Sequence, residues 1–436
     1  MKLRVLEKLG GSPEFRNNFK RVLSGAGLAQ LINLLSIPLL SRLYQPTDFA
    51  LLAYFMSLHA IAVAAMSLPF EWILPNSRNK FRGASLAMSA VYASIAGVFL
   101  LGCLGLFVLW LAPPFLDFAR WGVSGHFLLA LLCGSTFAGI SRSVLFSWLV
   151  YQGNLTYFAA SLLFQALSNV LISVSAILLF SEIVRVPGLI LIYGFIVAQV
   201  MACSVMIIGH RDTVSILRIV PFRHTLRIGW KFSGLALQSN AVNVMNAFSF
   251  SFQVFIIGYV YGDTATGLYS LAARICLAPV AFLSSALANS FWTEASSLAK
   301  TNLSGLRSFY IATIRKLTVF AILLCFGLFI MSFFIERLLG AEDWEGLQFM
   351  VLAILPFVFA NLIFGPTNHL TVYNKQAYQL ISDGLSVLGL IVALLLSGWW
   401  GLGAPIGVGL AMLIIGFGYL LRGTLHLLAN TQAGQK

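Results

Sequence analysis

The sequence has few charged residues and few cysteines. Only 9% of its 436 residues are charged, whereas 59% are hydrophobic. A soluble domain of this length needs more polar surface to cover its core, so a soluble fold is excluded. The five cysteines all fall inside apolar stretches without metal-ligand spacing, which predicts buried thiols. Neither a phosphate-binding Gly-Lys-Ser/Thr loop nor a His/Cys cluster occurs, so we expect no ATPase module, no metal and no bound cofactor.

Long apolar stretches dominate the chain instead. Each is long enough for a spanning helix, which needs roughly 20 mostly apolar residues with internally satisfied backbone groups. The sequence therefore predicts an all-α polytopic membrane protein with about 12 transmembrane helices. Four of these spans are expected at 49–74, 232–259, 267–292 and 346–373. Glycines of the last span, among them Gly416 and Gly418, are expected to allow close helix packing.

The basic residues indicate an orientation in the membrane. Of the 27 Lys and Arg residues, 21 fall in segments that alternate with the spans on the side of the N-terminus. The opposite side holds only Arg42, Arg120, Arg185 and Arg337. This bias predicts that both termini are cytoplasmic. The net charge of +13 is thus explained by topology, and its scatter over short loops excludes nucleic acid as a partner.

The two halves of the sequence correspond to each other. SGAGLAQLINLLSIPLLSRLYQPTDFALLAYF in the first half matches SGLALQSNAVNVMNAFSFSFQVFIIGYVYGDTATGLYSLA in the second. Six spans on each side of a basic loop predict two pseudo-symmetric six-helix lobes around a central cavity. The expected bounds are a basic tail at 1–21, an N-terminal lobe at 22–209, a cytoplasmic linker at 210–231, a C-terminal lobe at 232–428 and a tail at 429–436.

Amide side chains recur near helical spacing on three spans. Such a stripe indicates either a hydrated cavity wall or hydrogen bonds between helices. We favour the cavity wall for the matching stripes of the first and seventh spans. The candidates are Gln30 and Asn33 in the first span, Gln165 and Asn169 in the fifth, and Asn243, Asn246 and Gln253 in the seventh.

A few ionisable residues lie inside apolar spans, where a lipid-facing charge is costly. Arg274 and Arg142 are candidates for a cationic lumen that binds an anion. Glu71 and Asp383 are candidates for balancing or proton-carrying acids. Alternatively, Arg142 and Glu71 form a structural ion pair, or Glu71 extends to the membrane–water interface. The alternative for Arg274 is a structural role in capping backbone carbonyl groups. His59 and His369 are candidates for proton coupling or for hydrogen-bonded interior histidines.

Several motifs together resemble the Wzx-type polysaccharide repeat-unit flippases of the multidrug/oligosaccharidyl-lipid/polysaccharide exporter superfamily. They are LLSRLYQPTDFALLA, FEWILP, YGDTATGLYSLAARICLAP, LLGAEDW, and ILP followed by IFGP, in this order over both halves. The resemblance implies a twelve-span, two-lobe transporter rather than an enzyme. It also implies that Arg274, five residues before Pro279, occupies the position where that family usually has an arginine.

The resemblance further implies a function and partners. The expected function is to move a glycan on undecaprenyl pyrophosphate to the periplasmic leaflet by alternating access, for O-antigen, lipopolysaccharide, capsule or exopolysaccharide biosynthesis. Expected partners are that glycan, membrane lipids, a polysaccharide polymerase and a chain-length regulator, with proton or sodium coupling left open. A drug or cation antiporter of the same superfamily is the alternative, although it should carry more acids in the N-terminal lobe than Glu71. A membrane glycan polymerase or acyltransferase fits less well, because the predicted external loops have roughly 15 residues or fewer.

Overall fold

The computed structural model describes residues 13–68, 70, 74, 79–111, 121–152, 155–180, 185–209, 220–301, 303–339, 342–366 and 376–433. Within these ranges the chain is helical and has no strand, as the sequence predicts. In the described part of the chain, eleven helices are long and apolar enough to cross a membrane. The α-helices are α1 (Pro13–Leu43), α2 (Pro46–Met66), α3 (Lys80–Leu111), α4 (Gly125–Gln152), α5 (Thr156–Phe180), α6 (Gly188–Gly209), α7 (Phe222–Thr301), α8 (Leu303–Leu339), α9 (Leu347–Phe364), α10 (Gln376–Trp399) and α11 (Ala404–Ala433), with a short 3-10 helix at Glu342–Trp344.

Local sequence explains where several helices begin and end. Pro46 occupies the first position of α2, where its missing N–H costs nothing, and the Asp48 carboxylate accepts the Gln45 N–H at 3.0 Å. Helix α2 ends at Met66 instead of continuing to residue 74, and Pro69 follows three residues later. Helix α9 ends at Phe364 instead of residue 373, just before Gly365-Pro366. The rest of the predicted span 346–373, from residue 367 on, lies outside the described residues, as do residues 69 and 71–73 of the predicted span 49–74.

The predicted seventh and eighth spans are two helices that meet at a kink at Gly262, and α7 includes both of them. Gly262 has φ 84° and ψ −179°, a conformation that glycine adopts at little cost, and the backbone is helical on both sides. The loop expected between 259 and 267 is thus reduced to a break at one residue. Helix α7 also begins at Phe222, so the second half of the predicted linker 210–231 is helical.

The start of α7 packs against α3. The Ser89 hydroxyl donates to the Thr225 carbonyl oxygen at 2.9 Å, and the Arg82 guanidinium carbon lies 4.9 Å from the centre of the Phe232 ring. Thr225 is fully buried, and Val220 and Ala236 belong to an apolar cluster with Trp148 of α4. The predicted linker is therefore partly a packed helical segment.

The chain divides into two compact units. Unit 1 contains the chain up to Ser36 together with Tyr54–Ser251, and unit 2 contains Ile37–Ala53 and the chain from Phe252 onward. The segment Ile37–Ala53, predicted in the N-terminal lobe, thus belongs to unit 2. The part of α7 up to Ser251 belongs to unit 1. The lobe bounds expected from the sequence correspondence stay a prediction.

Each unit repeats the same set of helix contacts. In unit 1, α3 packs on α4, α4 on α6, and α5 on α6. In unit 2, α8 packs on α9, α9 on α11, and α10 on α11. These pairs match one to one in chain order, which is the packing expected of the internal repeat. Gly416 approaches the Pro356 carbonyl of α9, and Gly418 approaches Ser386 of α10, so the predicted role of these glycines in close packing is confirmed.

Candidate functional site

Two predicted cavity residues of unit 1 form a hydrogen-bonded pair. Arg142 of α4 donates from Nη1 to Oε1 of Gln165 on α5, at 2.9 Å, and both side chains are half-buried. Gln165 carries no charge, so this bond orients the guanidinium without neutralising it. Glu71, the acid considered as an ion-pair partner of Arg142, lies outside the described residues. The arrangement is a cation next to an amide inside membrane-spanning helices.

The other amides of α5 and α1 are placed differently. Asn169 and Ser173 face α6 at Gly194, where an added Cβ would lie 3.2 Å from Asn169 Oδ1 and 2.6 Å from Ser173 Oγ. Asn169 therefore lies at a helix–helix contact, which favours the interhelical alternative for this residue. Gln30 and Asn33 of α1 are half-buried in unit 1.

The amide stripe of α7 passes from one unit to the other. In unit 1, Asn243 is half-buried and Asn246 is exposed, whereas in unit 2 Gln253 is only 6% exposed. The Gln253 Oε1 atom is buried and accepts no hydrogen bond from the described part of the chain, and the same holds for Asn240 Oδ1 in unit 1. Buried acceptors of this kind are uncommon in folded proteins. They leave hydrogen-bonding capacity inside the span.

His59 is the centre of a buried network in unit 1. Its Nδ1 atom lies 3.1 Å from Ser135 Oγ, its Nε2 atom lies 3.1 Å from the Gln199 amide nitrogen, and its ring meets Phe195 edge to face. An amide N–H can only donate, so Nε2 accepts and Nδ1 carries the proton that Ser135 Oγ accepts. The Ser135 hydroxyl in turn donates to the Leu132 carbonyl at 3.0 Å. This geometry favours the hydrogen-bonded interior histidine. His369 lies outside the described residues.

Replacing His59 with alanine should lower the free energy of unfolding by about 2 kcal/mol, because it leaves the buried Gln199 amide without its acceptor. Unfolding in mixed detergent micelles measures the change. His126 is an exposed histidine of α4, and His126→Ala is the matched control, expected within about 0.5 kcal/mol of the parent. Equal stabilities of the two variants would contradict a structural role for His59.

Arg274 lies in unit 2 against Phe49, in the first turn of α2. Its guanidinium carbon is 5.7 Å from the centre of the Phe49 ring, and Phe49 meets the indole of Trp344 edge to face at 5.3 Å. The Trp344 indole N–H donates to the Ser41 carbonyl oxygen at 2.8 Å. Tyr44 lies between the two spans, where burial and then the Asp48 carboxylate raise the pKa of its phenol. The two turn motifs of the repeat thus meet in one unit.

Asp383 of α10 forms a buried ion pair with Arg422 of α11. Their side chains are 9% and 11% exposed, and Arg422 also stacks over the Tyr419 ring at 4.6 Å. Arg422, one of the 21 basic residues assigned to the side of the N-terminus, lies within the candidate span Ala404–Leu425. The position of Asp383, two turns inside a predicted span, was the sequence feature that indicated a basic partner. The structure shows Asp383 with a balancing cation.

Comparisons with known proteins agree with this architecture. The family described as "Polysaccharide biosynthesis protein" matches residues 39–348. No curated protein matches the chain significantly. The lipid II flippase MurJ in an inward closed conformation aligns with a TM-score of 0.67 at 15% identity, over 93% of this chain and 87% of that chain.

Two further solved structures show the same fold. An inward-facing multidrug resistance MATE family transporter of the MOP superfamily aligns with a TM-score of 0.64 at 15% identity, over 92% of this chain and 96% of that chain. A MOP superfamily transporter from Pyrococcus furiosus aligns with a TM-score of 0.59 at 14% identity, over 98% of both chains. At these identities the similarity establishes the two-lobe transporter fold.

Proposed function

The chain belongs to the polysaccharide biosynthesis protein family, and from this premise we propose that it is a flippase for lipid-linked oligosaccharides. It moves repeat units on undecaprenyl pyrophosphate from the cytoplasmic to the periplasmic leaflet by alternating access. The products serve O-antigen, lipopolysaccharide, capsule or exopolysaccharide synthesis. Similarity to the fold of a lipid II flippase supports this proposal over an enzymatic role.

The Arg142–Gln165 pair is the observation that carries the proposal. A glycan on pyrophosphate presents two chemistries to the protein: a compact anion and many hydroxyl groups. A guanidinium binds phosphate oxygens with up to two parallel hydrogen bonds, and an amide exchanges hydrogen bonds with hydroxyl groups. The 2.9 Å bond between them places both functions side by side within the spans. The buried acceptors on Gln253 and Asn240 add further capacity for hydroxyl groups.

Unit 2 also contains a candidate cation within a span, Arg274. It lies in the candidate span Asn243–Val280, half-buried, and its contact with Phe49 is through the ring face. A cation–π contact does not itself neutralise the guanidinium charge. We propose that Arg274 binds the pyrophosphate.

Orientation, location and coupling belong to the same proposal. The bias of Lys and Arg supports cytoplasmic termini in the bacterial inner membrane. Because Asp383 is balanced by Arg422, Glu71 is the acid proposed for any proton or sodium coupling. Delivered repeat units need a polymerase and a chain-length regulator, which are the proposed protein partners.

The substitutions Arg142→Ala and Arg274→Ala are expected to abolish surface polysaccharide display in a strain that depends on this protein. Arg142→Lys should restore display only in part, because lysine keeps the charge but loses the planar pair of donors. Display is measured by gel analysis of surface glycan, with membrane insertion checked by immunoblot.

Arg337→Ala is the matched control, because Arg337 is exposed in the last turn of α8 and should be replaceable. Normal display by Arg142→Ala and Arg274→Ala at normal protein levels would contradict the proposal. Unchanged display together with increased drug susceptibility would favour the antiporter instead.

A further inference from the structure

A segment of the first repeat is docked within unit 2. Ile37–Ala53 contains the end of α1, the turn and the start of α2, and its core is almost completely buried, with Phe49 only 1% exposed. On the α7 side, an added Cβ at Gly267 would overlap the carbonyl oxygen of Pro46. On the other side, Trp344 is fully buried and bonds to the Ser41 carbonyl. We call Ile37–Ala53 the docked segment.

Glu336 fixes the N-terminus of α9, whose N-cap residue Gly346 lies two residues after Trp344. One carboxylate oxygen of Glu336 accepts the backbone N–H groups of Gly346 and Gln348, at 3.0 and 3.3 Å, at the N-terminus of α9. Gly346 has φ 88°, so the turn between Trp344 and α9 needs glycine. The backbone next to Trp344 is therefore fixed on the side of α9 by Glu336 and Gly346, which places the indole against the docked segment.

Phe49 contacts both Trp344 and Arg274. The edge-to-face contact places the Phe49 ring against Trp344 at an interplanar angle of 81°, while the Arg274 guanidinium lies over the ring. The ring is thus fixed by the indole and presents its electron-rich face to the cation. Any movement of the Arg274 guanidinium away from this position removes one of the contacts that hold the docked segment.

We propose that Phe49 is a positioning residue for Arg274, and that an anionic pyrophosphate head group competes with its ring for the guanidinium. This inference rests on the proposed function. Charge-assisted hydrogen bonds to phosphate are stronger than a cation–π contact, so the anion wins the competition. Substrate binding then weakens the docking of Ile37–Ala53. Pro38 lies at the boundary of this segment inside α1, where the missing backbone hydrogen bond lets the helix bend.

Cysteine labelling tests the competition. Ser41 is 2% exposed and contributes its backbone carbonyl to the Trp344 bond, so Ser41→Cys keeps that acceptor and reports undocking. The full chain, with its five native cysteines replaced by alanine, is reconstituted in liposomes, and the alkylation rate is measured by mass spectrometry. Undecaprenyl pyrophosphate should raise the rate about fivefold, the factor expected when one cation–π contact is lost. Uncharged undecaprenol is the matched control and should leave the rate unchanged.

Variants of Phe49 distinguish the effect of the aromatic ring face on docking from the effect of side-chain size. Phe49→Leu should label fast without added lipid and should not respond to undecaprenyl pyrophosphate, whereas Phe49→Tyr should behave as the parent. Trifluorinated phenylalanine at position 49 keeps the shape and weakens the ring face, so an intermediate rate is expected even if Phe49→Leu folds poorly. Parent-like labelling of the Phe49→Leu and fluorinated proteins would overturn the inference.

The outcomes distinguish this inference from the proposed function. Labelling without lipid reports how firmly the docked segment is held and involves no transport, whereas surface display depends on transport. Loss of display in Arg274→Ala together with parent-like labelling in Phe49→Leu would leave the flippase in place and remove the competition. A response of the parent to undecaprenol equal to that for undecaprenyl pyrophosphate would also remove it, because the head group would then be irrelevant.

Discussion

Replacing Asp383 with alanine is expected to lower the free energy of unfolding by about 3–5 kcal/mol, the cost of breaking a buried ion pair and leaving one charge without its partner. Both side chains are about nine-tenths buried in α10 and α11, so neither charge regains water in the folded state. Arg422→Ala should have a similar effect and also loses the stacking on Tyr419. Titration with sodium dodecyl sulfate in mixed micelles measures the change.

The double variant Asp383→Asn, Arg422→Gln is the decisive control for this pair. Removing both charges together leaves no uncompensated ion, so stability should return to within about 1 kcal/mol of the parent. If the double variant also displays surface polysaccharide normally, Asp383 acts as a structural partner of Arg422. Loss of display in this stable double variant would instead make the acid part of transport.

The positions of the helices can be predicted from the apolar pattern of the sequence, but the residues at which they end or connect cannot. The length of an apolar stretch predicts that a span exists: the stretch 377–399 predicts one span, and helix α10 lies there, at Gln376–Trp399. Proline decides the true ends, as at Met66 and Phe364, because it limits the residue before it. At Gly262 a single residue with positive φ stands where a loop was expected. Hydrophobic periodicity does not distinguish a loop of several residues from a kink at one residue.

The sequence predicted the types of the candidate site residues but not the side chains that they contact. The cost of a charge in lipid singled out Arg142, Arg274 and Asp383 from the sequence alone. Their partners Gln165, Phe49 and Arg422 could not be predicted, because they are set by which helix faces meet. Arg142 and Gln165, for example, are 23 residues apart in the sequence. Arg422 was missed because an arginine near the end of a last span usually reaches the interface.

Replacing Gly267 with alanine is expected to destabilise the protein by about 3 kcal/mol, the upper end for overpacking, because the added Cβ would overlap backbone atoms of Pro46. A flexible side chain could move aside, but the carbonyl of Pro46 is fixed by the start of α2. The docked segment must therefore shift. Thermal unfolding in detergent measures the loss, and Ser41→Cys labelling should increase in the same variant.

Gly327→Ala provides the matched control for this prediction. Gly327 lies within α8 with nothing inside 4 Å of an added Cβ, so alanine should be neutral or stabilising by up to about 1 kcal/mol. The two substitutions make the same chemical change within helices and differ only in what the methyl group meets. A Gly267→Ala protein as stable as Gly327→Ala would mean that the backbone of α7 does not pack against Pro46. The docked segment would then depend on Trp344 and Phe49 alone, and Trp344→Ala should release it completely.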